Sequence, residues 1–106
     1  MTPQLIVHKG RTVIVPVSLG YDASDDVFTS QIRVDTDPTS TLIATWVVSF
    51  ATDGTDGELI LRLDNSITAV ITKAVGYMDM KRMTGGEPVP VFDDPIEVLF
   101  KDVVTV

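Results

Sequence analysis

The chain has 106 residues, with 8 Lys+Arg against 15 Asp+Glu for a formal charge of −7, a single His and no Cys. The missing cysteines exclude disulfides, thiol catalysis and thiolate metal sites, and the lone His8 excludes multi-histidine metal centres. The negative balance argues against nucleic acid and anionic membrane as partners. An apolar content of 44% is enough to build a core rather than a disordered chain, and the length predicts one domain over residues 1–106.

At the start, the apolar run Leu5-Ile6-Val7 is too short for a secretory signal. No stretch approaches the roughly 18 apolar residues of a membrane span, so the chain is expected in the cytoplasm at synthesis. Strand signals follow, with turn residues recurring roughly every ten positions, the spacing of an all-β sandwich or barrel. Leu5 to His8 reads as a first strand broken by Lys9-Gly10. Arg11 to Ser18 alternates, with Val13, Val15 and Val17 on one face and Pro16 on the other. Proline cannot donate to a ladder, which predicts an edge strand or bulge there.

Phe28 to Asp35 is the next strand, with Phe28, Ser30, Ile32 and Val34 sharing a face. Thr41 to Phe50 is the strongest, with Leu42, Ala44, Trp46, Val48 and Phe50 inward. Ile43 and Val47 make its other face apolar too, which predicts a central strand. Asp53 to Gly57 is a hairpin turn by residue type. Glu58 to Leu63 then points Leu59, Leu61 and Leu63 inward and Ile60 and Arg62 outward. Over Asp64 to Ala74 the alternation breaks, and Ile67, Val70, Ile71 and Ala74 fall at helical spacing, predicting a short helix. Val75 to Met83 is a strand with Met78 and Met80 on one face. Val89 to Phe92 is short, and Ile96 to Val104 closes the fold, the apolar tail docking as far as Val106. Seven or eight strands and one short helix make two facing sheets, with Trp46 and Phe50 the costliest positions to truncate.

Chemistry is sparse. The stretch Asp53 to Glu58 offers carboxylates and carbonyls for calcium, and with it a calcium- or carbohydrate-binding module. The same residues are what a tight turn requires, and the spacing is not that of the helix-loop-helix calcium site. His8 has no serine in a nucleophile elbow to activate, and Gly85-Gly86 lacks the context of a phosphate loop. Lys81-Arg82, with Lys73 and Arg33, could form a positive spot. No metal, no cofactor and no enzymatic activity are therefore expected. Interaction is expected instead: Ile43, Val47 and Ile60 put apolar groups on the second face of their strands, and Pro16 marks an edge where another chain could add.

The order of several short motifs resembles that of small tailed-phage virion proteins. These motifs are Gly10-Arg11-Thr12, Phe28-Thr29-Ser30-Gln31-Ile32-Arg33, Leu42-Ile43-Ala44-Thr45, Asp53-Gly54 before Gly57-Glu58-Leu59, Ile67-Thr68-Ala69, Tyr77-Met78-Asp79-Met80 and Val103-Val104-Thr105. Related patterns occur in the N-terminal domains of upper-baseplate and tail-fibre adaptor proteins. In those the tyrosine often stands directly before the aspartate, whereas here Met78 intervenes. The resemblance spans Gly10 to Thr105. It implies an immunoglobulin-like antiparallel β-sandwich without enzymatic activity, located in the virion after assembly in the host cytoplasm. It also implies other phage structural proteins as partners and a symmetric homo-oligomeric ring. With no fibre shaft fused after the domain, a separate adaptor at the tail, baseplate or neck is expected. A capsid decoration protein is the alternative.

Overall fold

The structure is a computed structural model and describes residues 4–92 and 94–103. Strands β1 (Gln4–His8), β2 (Val13–Ser18), β3 (Val27–Arg33), β4 (Leu42–Thr45), β5 (Val47–Phe50) and β6 (Glu58–Leu63) come first. The four-residue helix α1 (Asn65–Thr68) precedes β7 (Val75–Thr84), β8 (Glu87–Pro90) and β9 (Ile96–Lys101). The larger sheet runs β1-β9-β7-β3-β4, with β8 also on β7, and the smaller runs β2-β6-β5. All pairings are antiparallel except β1 on β9. This is the immunoglobulin-like sandwich expected, with one parallel pair in it. The expected docking of the tail as far as Val106, and the end of the last strand at Val104, lie outside the described residues.

Period-2 alternation supplies the core. Val13, Val15 and Val17 on β2 face Leu59, Leu61 and Leu63 of β6 in register. Met78, Met80, Ile32, Val7, Val98 and Phe100 come from the larger sheet, and the two inner faces form one buried cluster. Each such side chain contributes on the order of 1.5–3 kcal/mol by leaving water.

The strand expected over Thr41 to Phe50 as one central element is two edge strands in different sheets. It leaves the larger sheet after Thr45, crosses at Trp46 and enters the smaller one at Val47. Trp46 is 3% exposed. Its backbone N–H still donates to the Ser30 carbonyl at 2.9 Å, while no protein group among the described residues accepts from its indole Nε1. The split also raises the strand count to nine among the described residues.

The helix expected over Asp64 to Ala74 is only α1. Of its predicted stripe Ile71 is buried, but Ile67 is 43% and Val70 74% exposed. β-Branched side chains lose rotamer freedom in a helix, and the Asp64 carboxylate accepts from Arg62 Nε at 2.7 Å instead of capping. Thr68 makes the tertiary contact, donating from Oγ1 to the Arg11 carbonyl at 2.7 Å. The chain must then extend so that the Ala74 carbonyl can accept from the Phe100 N–H at 2.9 Å.

Candidate interaction surface

The outer face of the smaller sheet is built by register. Ile14 of β2 lies opposite Arg62 of β6, which lies opposite Val47 of β5. One row on, Pro16, Ile60 and Ser49 align. Strand alternation points all six away from the core. Ile14 is 56% and Val47 63% exposed, Pro16 is exposed and Ile60 half-buried. Arg62, in the middle of its row, donates from Nε to Asp64 Oδ1 at 2.7 Å, and at the border Ser18 Oγ donates to Glu58 Oε1 at 2.8 Å.

Three of the four residues expected at an interface, Pro16, Val47 and Ile60, therefore share one face. Ile43 does not join them. The β3–β4 register shifts between Ile32 and Arg33, and this bulge turns Ile43 onto the core, its Cδ1 2.9 Å from where a Cβ on Gly76 would stand. The residue missed is Ile14. Its signal was present, since a strand that sends Val13, Val15 and Val17 inward must send Ile14 outward.

Pro16 has a more specific place than an edge strand in general. The Leu19 N–H donates to the Gly57 carbonyl, so in antiparallel register Val17, Val15 and Val13 exchange hydrogen bonds with β6. Ile14, Pro16 and Ser18 then turn their backbone groups to the outside. The missing N–H costs the ladder nothing and removes a donor from the free edge, the opposite of an invitation to another strand. The β7–β8 hairpin repeats the device. Val91 N–H donates to the Met80 carbonyl, which by the same alternation places Pro88 and Pro90 on the outer edge of β8.

The remaining candidates are dispersed. Asp53 Oδ1 accepts from the Thr55 N–H at 3.1 Å and Oγ1 at 2.7 Å, and the Thr55 hydroxyl, then its amide, lowers the Asp53 pKa. Asp56 accepts from the Glu58 N–H and the Thr52 hydroxyl, each at 3.0 Å. These carboxylates hold the turn, and no three metal-ligating side chains converge among the described residues. His8 is exposed at the end of β1, in register with Lys101. The positive spot does not form as a unit. Arg82 Nε meets Asp26 Oδ2 at 2.5 Å with its guanidinium 4.4 Å from the Tyr21 ring centroid, while Arg33 donates to the Ser40 carbonyl.

No family model matches the chain, nor does any curated protein. A solved structure described in terms of multimeric cell-adhesive interactions of VGSC beta subunits is similar over 94% of this chain and 90% of its own. Its identity is 7% and its TM-score 0.42. At that score the immunoglobulin-like reading rests on the strand order itself, two packed sheets with β1 parallel to β9.

Proposed function

We propose that this protein is a non-catalytic structural subunit of a tailed-phage particle. It acts as an adaptor that connects parts of the tail, baseplate or neck by protein–protein contact, in several copies around a symmetry axis. The observation that carries the reading is the apolar strip Ile14, Pro16, Ile60 and Val47 on the outer face of the smaller sheet. Exposed apolar side chains grouped around an arginine, here Arg62 between Ile14 and Val47, are the composition of a docking surface. The order of motifs from Gly10 to Thr105 supplies the phage context.

The test is co-purification with intact particles and the stoichiometry found there. A subunit carrying Val47→Asp that still folds should drop out of particles. Normal incorporation of that variant would remove the proposal. Gold-labelled subunit in particle images separates a tail or neck position from capsid decoration.

A further inference from the structure

Where the chain leaves the larger sheet at Trp46, two backbone edges are left open side by side. Strand β3 pairs with β7 from Val27 to Arg33 but with β4 only from Gln31 to Arg33. The Ser30 carbonyl still accepts from the Trp46 N–H, and only Val27 to Thr29 lack a neighbour strand on that side. Across from them lies β5. The Ala51 N–H donates to the Glu58 carbonyl at 2.9 Å, so Ser49 and Val47 exchange bonds with β6, while Val48 and Phe50 present their N–H and C=O groups outward. No hydrogen bond to these outward groups exists among the described residues.

Between the two edges runs a groove of about 200 Å³ lined by Asp26, Val27, Phe28, Val48, Phe50 and Leu59, among others. The Phe28 and Phe50 rings meet edge to face at 6.4 Å. That volume is smaller than the roughly 300–1,000 Å³ of a small-molecule site; it accommodates side chains, not a ligand. At the Phe50 end the 53–57 turn packs on the 20–26 loop, with the Ala23 N–H bonded to the Gly54 carbonyl. This brings Asp22 and Asp53 close enough to feel each other's charge, and hydrogen bonds from Ser24 and Thr55 hold both carboxylates ionised.

We propose that β5 receives an extended segment of a partner chain as a fourth strand of the smaller sheet, alternate apolar side chains entering the groove and a basic residue meeting Asp22 and Asp53. The unpaired amides at strand spacing select a strand, and the acidic end selects a cation. A second copy of this chain, at −7, fits that end poorly. The prolines on the outer edges of β2 and β8 leave β5 open where those two are blocked. The inference concerns how a partner is gripped and does not depend on the virion assignment.

Amide exchange on the whole chain with a synthetic peptide of alternating Lys and Val, six residues long, tests it. The Val48 and Phe50 amides should exchange about tenfold or more slowly with peptide present. The peptide with Glu for Lys should give no protection. Val48→Pro copies the Pro16 arrangement on the other edge and should weaken binding roughly tenfold or more. The wild-type exchange pattern decides the matter even if that variant misfolds. Protection at Ile6 and His8 on the β1 edge instead, protection nowhere at millimolar peptide, equal protection by the Glu peptide, or protection that grows with protein concentration alone would each overturn the proposal. None of these results touches the particle test with Val47→Asp.

Discussion

The two sheets are alike inside and unlike outside. Both inner faces are apolar. On the outer face of the larger sheet, Thr29, Gln31, Arg33, Tyr77, Asp79 and Lys81 stand in a polar array, tied locally by bonds such as Arg33 to Gln31 at 3.0 Å and Gln4 to Glu97 at 2.6 Å. The outer face of the smaller sheet carries Ile14, Pro16, Ile60 and Val47. The larger sheet has outward apolar groups in the row Ile6, Leu99 and Val75 and at Val27, beside that polar array, whereas the smaller sheet spreads them across all three of its strands, around Arg62 and Ser49, although both are made from the same alternation. A sheet needs only one apolar face to fold, so the core does not require the apolar groups on the outer face of the smaller sheet.

The sharpest way to break the comparison is to separate the layers. Trp46→Ala removes the side chain at the crossing between sheets and should cost about 3–5 kcal/mol in denaturant unfolding. Phe50→Ala, at a half-buried position, should cost less. Gly57→Ala strikes the smaller sheet alone. Gly57 has φ +75°, and an added Cβ would run into the Tyr21 carbonyl, so a loss of at least about 2 kcal/mol is expected from strain and displacement of the 20–26 loop. Thr68→Val removes the donor to the Arg11 carbonyl without changing side-chain size and should cost about 1 kcal/mol.

On the outer faces, stability should hardly register the change. Val47→Asp on one sheet and Thr29→Asp on the other should each stay within about 0.5 kcal/mol of the parent. Under the proposed role, only Val47→Asp should alter association with particles. The smallest effect concerns acid. Asp22, Asp37 and Asp53 have lowered pKa values, caused first by the Ser24 amide, the Thr39 amide and the Thr55 hydroxyl respectively. Their folded pKa lies below the unfolded one. The contribution is therefore present above about pH 4 and fades as pH falls through the folded values. A melting temperature that declines in acid, and declines less in Asp53→Asn, checks the sign.

Much of this was legible in the residues. Val13/Val15/Val17, Leu59/Leu61/Leu63 and Met78/Met80 announce their faces, and Asp53 to Gly57 announces its turn. The crossing at Trp46 was hidden because it leaves no mark on the alternation. Ala44, Trp46, Val48 and Phe50 all point between the layers, so passing from one sheet to the other keeps the inward direction and the period intact. Ile43 misled for a related reason, since a bulge adds a residue without changing composition. The false helix arose because Ile67, Val70 and Ile71 match a helical stripe, while the contacts that override it, Thr68 to Arg11 and Ala74 to Phe100, join distant parts of the chain. At the interaction surface the sequence names Pro16, Val47 and Ile60 but not their rows, which depend on register across three strands.

The parallel pairing of β1 with β9 has a mechanical consequence. Tension applied through Gln4 and Lys101 would slide these neighbours past each other along their length, loading their hydrogen bonds together instead of one after another. Pulled that way, the domain should resist as a clamp rather than open as a zipper, with its rupture rate set by that single ladder.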